Sequence, residues 1–159
     1  DQAGHRTAGQ YGNLRLAAAR LQRLTDDWSV YASLSGQVAS KNLNSSEKMP
    51  LGGAQGVRAY PQGEAPADDA WLANLELRRS LFDRWQASLF YDSAQGNLNH
   101  APIAADGNNH RRLAGYGLGL NYSADNYAVQ LTVAWRDGPQ PTSDVDRSPR
   151  LWLRAVTHF

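Results

Sequence analysis

The chain has no cysteine, a single methionine and only two lysines, Lys41 and Lys48, among its 159 residues. Without cysteine there is no disulfide framework and no thiolate metal site. No apolar run approaches the ~18 residues of a membrane-spanning helix. Sixteen basic residues against fifteen acidic ones leave a net charge of +1. That balance lacks the electrostatic footprint of nucleic-acid binding, and no nucleic-acid partner is expected. The polar opening from Asp1 lacks a secretory leader's basic and apolar regions, so a mature or truncated product is expected. Missing cysteine, scarce lysine and many Trp and Tyr favour an oxidising compartment or the bacterial envelope.

Motifs for chemistry are equally scarce. His5, His100, His110 and His158 are scattered and show no zinc spacing. Asp137, Asp144 and Asp146 share one segment without calcium-loop spacing, and a solvated loop is the better reading. Gly115, Gly117 and Gly119 form a Gly-x-Gly-x-Gly run, but no helix follows to make it a nucleotide loop. No Ser/His/Asp arrangement is suggested. No enzyme activity, cofactor or metal is expected.

What the chain has in abundance is alternation with a period of two, the mark of half-buried strands. In Trp28–Ala39, Trp28, Val30, Ala32, Leu34 and Val38 oppose Ser29, Tyr31, Ser33, Ser35 and Gln37. Trp71–Leu81 sets Trp71, Ala73, Leu75 and Leu77 against Asn74, Glu76, Arg78 and Ser80. Trp85–Asp92 sets Trp85, Ala87, Leu89 and Tyr91 against Gln86, Ser88, Phe90 and Asp92. In Arg112–Ser123, Tyr116, Leu118, Leu120 and Tyr122 oppose the three glycines and Asn121. Tyr127–Arg136 and Leu151–Phe159 repeat the pattern. Tyr11–Leu24 fits an amphipathic helix and a strand equally by pattern, and its neighbours favour a strand.

Connections alternate in length. Thr25–Asp27, Phe82–Arg84 and Ala124–Asn126 are tight turns, while Lys41–Asp69, Ser93–Arg111 and Asp137–Arg150 are long. Strands of about ten residues with short turns at one end and long loops at the other describe a transmembrane β-barrel. Aromatic residues at the ends of the apolar faces would form its interfacial girdles. A soluble sandwich or lipocalin-like barrel is the alternative, because alternation defines two faces but not which one meets solvent.

Three blocks carry a resemblance: "LGGAQGVRAYPQGEAPADDAWLANLELRRSLF", "FYDSAQGNL" and "GYGLGLNYS". With them the chain resembles two-partner secretion transporters of the TpsB type (the FhaC/ShlB/HecB-like haemolysin secretion/activation proteins), in family order over essentially its whole length. These belong to the outer-membrane assembly-factor superfamily that includes BamA. The resemblance implies an all-β, antiparallel transmembrane barrel of sixteen strands, of which residues 1–159 would be the last seven. The remaining strands and the periplasmic POTRA domains would lie outside this fragment.

It further implies that residues 41–69 are the sixth extracellular loop, folded back into the lumen. The loop-tip signature, Val-Arg-Gly-Tyr/Phe in the family, is here Val57, Arg58, Ala59 and Tyr60. Alanine at 59 implies either an ordinary backbone at the tip or local strain. Arg58 would pair with Asp92 of the Phe-x-Asp motif, with Glu76 as a second acceptor. Gly115, Gly117 and Gly119 would leave room for the loop, and Phe159 would be the terminal signal to the barrel-assembly machinery. The implied function is export and activation of a large exoprotein (haemolysin, adhesin or contact-dependent toxin) across the bacterial outer membrane. Its partners would be that TpsA-type exoprotein, the assembly machinery and outer-membrane lipid. The alternatives are a BamA-like insertase, a passive porin or a soluble ligand-binding barrel.

Overall fold

The computed structural model describes residues 11–157. Seven strands form one antiparallel sheet in chain order: β1 (Asn13–Arg23), β2 (Trp28–Ala39), β3 (Asp69–Phe82), β4 (Trp85–Asn97), β5 (His110–Ser123), β6 (Tyr127–Arg136) and β7 (Arg150–Thr157). The ambiguous first segment is a strand, paired along its whole length with β2. Short turns close β1–β2, β3–β4 and β5–β6, and the long segments 40–68, 98–109 and 137–149 lie at the other end. This is part of an antiparallel transmembrane β-barrel.

β4 runs five residues past Asp92. "SAQGN" has a loop's composition, yet Ser93–Asn97 pairs with Asp69–Ala73 on one side and His110–Ala114 on the other. Two neighbouring strands decide the conformation there, because a central strand has its backbone groups satisfied on both sides.

The outer face is apolar and uncovered. Leu34, Leu75, Leu89, Leu118 and Leu153 are all more than half exposed on it. Aromatic rows border this band. Tyr91, Tyr116 and Trp135 lie in register toward the long loops, the last two stacked at 6.1 Å. Toward the short turns Trp85 packs on Tyr122 at 4.8 Å, and Tyr122 on Tyr127 at 5.8 Å. Six residue steps separate Trp85 from Tyr91, roughly 20 Å of strand, on the scale of the apolar band of an outer-membrane barrel.

The buried core lies on the inner face, between the wall and segment 40–68. Leu51, Val57, Ala59, Tyr60 and Ala67 of the segment meet Leu72, Phe90, Ala94, Leu113 and Ala134 of the strands. The lumen wall therefore divides in two. Its half nearer the long loops is covered by the segment and carries apolar core residues together with buried polar ones, Gln37, Glu76 and Asp92 among them. Its half nearer the short turns carries Ser80, Gln86, Asn121 and Gln130, as a hydrated lumen requires.

In the complete barrel, Leu118→Lys in the middle of the lipid band is expected to cost about 2–4 kcal/mol of stability. Gln130→Lys on the lumen face should stay within about 0.5 kcal/mol. Denaturant unfolding from lipid vesicles measures both, and equal costs would contradict this assignment of the two faces.

Candidate functional site

Strand register arranges the inner wall in rows. One row is Asn74, Asp92, Gly115 and Arg136, and the next is Glu76, Phe90, Gly117, Ala134 and Arg150. The tip of segment 40–68 sits over these two rows. Its compact shape comes from backbone hydrogen bonds within the segment: Val57 N donates to Leu51 O at 2.8 Å, and Leu51 N and Gly52 N both donate to Glu64 O.

Arg58 spans the two rows. Its Nε and Nη2 donate to Asp92 Oδ2 and Oδ1 at 2.8 and 2.7 Å, a bidentate pair, and its Nη1 donates to Glu76 Oε1 at 2.6 Å. The backbone N of Arg58 adds a fourth bond, to Asp92 Oδ2 at 3.1 Å. The guanidinium carbon lies over Phe90, 3.5 Å from the ring centroid. Asp92 is fully buried, and Arg58 and Glu76 are each 8% exposed. Asp92 also accepts from Asn74 Nδ2 at 2.9 Å, and Glu76 from Arg78 Nε at 2.7 Å. Each carboxylate thus has a second donor to hold its rotamer. In such shielded surroundings charge-assisted bonds are strong, and removing one partner strands the other at a cost of about 3–5 kcal/mol.

Sequence reasoning left out several members of this site. Phe90, the aromatic of Phe-x-Asp, shares a face with Asp92 by parity alone, and its role as the surface under Arg58 appears only in the structure. Trp152 of β7 donates Nε1–H to the Arg58 carbonyl at 2.7 Å, so the tip is tied to β7 as well as to β3 and β4. Parity also places Trp152 inward, since Leu151 and Leu153 face out. Asn74 shares the polar face of Glu76 by the same parity, whereas Glu64, in a loop, carries no periodic signal.

The three glycines do different things. A Cβ on Gly115 would run into the Ala59 methyl and crowd the Trp135 carbonyl. A Cβ on Gly117 would press into Phe90 and the Val133 carbonyl, and one on Gly119 would meet Ser88. Only Gly115 of the three makes room for the loop directly, whereas Gly117 makes room for the ring on which Arg58 lies. Ala59 has no positive φ; Ala65, at φ 50°, is the non-glycine residue of the described chain that has one. The methyl that Ala59 adds at the tip is therefore accommodated by Gly115 rather than by strain. Tyr60 is buried and its OH donates to Pro139 O at 2.8 Å. Phe159, the candidate assembly signal, lies outside the described residues.

The rest of the segment is anchored to the other long loops. Asp68 accepts from Lys48 Nζ and His100 N, both at 2.9 Å, and Asn42 exchanges two bonds with Ala101. Glu64, fully buried, accepts from Arg111 and from Thr142 and Ser143 of the 137–149 loop. Burial pushes its carboxyl up, but the hydrogen bonds from Ser143 and Thr142 outweigh burial and leave it below the ordinary carboxylate range.

Two outcomes follow for the loop. Gly115→Ala should expose segment 40–68 to limited proteolysis, and Ala59→Gly in the same chain should restore part of the protection by removing the opposing methyl. Failure of the double variant to improve on the single one would contradict the assigned contact. The second outcome concerns pH. A folded-state pKa below the unfolded one stabilises fully above the unfolded value, about 4.3, and the gain fades as pH falls through the folded value. Protection by Glu64 should hold from neutrality down to the ordinary carboxylate range and fade only as pH falls below it. Glu64→Gln should lack that part of the transition.

Comparison with known proteins agrees with this architecture. Residues 1–122 match the family described as haemolysin secretion/activation protein ShlB/FhaC/HecB. The chain is 35% identical over 157 residues to the heme/hemopexin transporter protein HuxB of Haemophilus influenzae strain 86-028NP, covering 92% of this chain and 26% of that protein. It is 34% identical over 154 residues to HuxB of H. influenzae strain ATCC 51907, with the same coverage. The chain thus spans about a quarter of the length of the curated relatives it matches. No solved structure matches. A family match over most of the chain, joined to a lipid-facing antiparallel sheet with a loop packed on its inner face, identifies the chain as a β-barrel segment of the bacterial outer membrane that belongs to the ShlB/FhaC/HecB family of two-partner secretion proteins.

Proposed function

We propose that residues 1–159 are the C-terminal part of the barrel of a two-partner secretion transporter, and that the complete barrel passes an unfolded exoprotein across the outer membrane. Segment 40–68 is its movable lumen plug, and Arg58 is the lock that holds the plug on the wall. The observation that carries this reading is the buried, bidentate Arg58–Asp92 pair, shared with Glu76 and laid on Phe90. A solvated loop arginine needs none of this. Five guanidinium donors placed against two buried carboxylates give one orientation of the tip and a large penalty for any other.

The site holds a loop and offers no nucleophile or general base aimed at open space. The family match and the HuxB relatives, named as heme/hemopexin transporters, support a TpsA-type exoprotein as partner. Haemolysins, adhesins and contact-dependent toxins are the candidate cargo classes. The barrel-assembly machinery would insert the chain.

In the complete transporter, Arg58→Ala should reduce secretion of the cognate exoprotein by at least tenfold, the scale of losing a charge-assisted pair. Outer-membrane insertion should stay near the parental level. Asp92→Asn should do the same, while Arg154→Ala should secrete normally. Normal secretion by the Arg58 variant would overturn the lock.

A further inference from the structure

We infer that Glu64 is a positioning residue for the lock. It bolts the lumen segment 40–68 to the external 137–149 loop, so that loop acts as a latch on Arg58 from the outer rim. The inference rests on the lock reading given above.

The Glu64 carboxylate is saturated. Oε1 accepts from Arg111 Nη2 at 2.6 Å, Thr142 N at 2.9 Å and Thr142 Oγ1 at 3.0 Å. Oε2 accepts from Ser143 N at 2.9 Å and from Ser143 Oγ. Two consecutive backbone N–H groups converging on one anion form an anion-holding nest, and a loop in that shape is selected by the anion it holds. Arg111 completes the clasp by donating to Thr142 Oγ1 at 2.9 Å. Four residues before Glu64, Tyr60 donates to Pro139 of the same loop.

The 137–149 loop is also fastened to its own strands. Arg136 of β6 pairs with Asp146 at 2.8 Å, and Arg150 of β7 faces Asp144 at 3.6 Å. The loop is thus tied to the wall by ion pairs and to the lumen segment by Glu64. Only five residues separate Arg58 from Glu64, with Tyr60 held between them. Arg58 cannot leave Asp92 by more than the slack in that short stretch unless Glu64 surrenders its five hydrogen bonds. A carboxylate stripped of them while still buried is strongly penalised. Segment 40–68 therefore has two locks in series, one deep in the lumen and one at the rim.

The test uses the complete transporter in planar bilayers, with the occupancy of the high-conductance state as readout. Arg58→Ala should raise that occupancy. Glu64→Gln keeps the shape and loses the charge, and should raise it roughly tenfold, as expected for losing charge-assisted bonds. Arg111→Gln should raise it too, and the double variant should not exceed Glu64→Gln alone, since both act on one carboxylate. Glu64→Asp should restore part of the parental closure, with membrane level and folded fraction unchanged throughout. If Glu64→Gln does not insert, Thr142→Val with Ser143→Ala replaces it, with the same outcome expected. An open Arg58→Ala channel beside an unchanged Glu64→Gln channel overturns the latch alone. Additive Glu64 and Arg111 effects overturn it as well. An Arg58→Ala channel that stays closed overturns the lock and the latch together.

Discussion

A guanidinium inside a barrel wall must be answered, and most of what surrounds Arg58 is the answer. Asp92 and Glu76 supply the charge, Phe90 the flat surface, and Asn74 and Arg78 hold the two carboxylates in place. The Arg58 carbonyl is claimed by Trp152. None of these groups is useful alone. An unpaired Asp92 on a covered wall would be costly, and so would an unpaired Arg58. The seating of the tip is therefore specific in a way an apolar contact is not, because each of these polar groups needs its partner.

The wall is shaped to receive that seating. Apolar side chains, a missing one at Gly115 and the two carboxylates Asp92 and Glu76 lie where the segment presses. Leu72, Ala94 and Leu113 share one row, and the segment's Leu51, Val57 and Ala67 cluster with them. Burial of this surface drives docking, while the ion pairs select its register. The same strands keep an apolar outer band between two aromatic rows, so β3, β4 and β5 turn one face outward and the other to segment 40–68.

Around the lock, the long loops form a ring of anchors. Asp68 and Lys48 tie the end of the segment to the 98–109 loop, Gln37 reaches its backbone from β2, and Glu64 holds the 137–149 loop. Gln37, Asp68 and Glu64 are buried and satisfied, so the segment behaves as a packed element rather than a free loop. The segment and the rim loops hold one another, the segment through Glu64 and the 137–149 loop through Thr142 and Ser143.

The sequence by itself determined the strands, their two faces and the alternation of short and long connections, because a period of two is a local property that needs no partner. It also carried the family resemblance, and through it a reason to look at Arg58, Asp92 and Glu76. Tertiary structure alone decided what composition obscured. Ser93–Asn97 is strand because two neighbours pair with it. Gly117 serves Phe90 while Gly115 serves Ala59, a division that depends on strand register. Glu64 looked like any acid in a Gly/Pro loop, and its clasp joins residues 78 and 79 positions apart. Contacts at that separation leave no periodic trace, since they exist only once the sheet has brought distant loops to one rim.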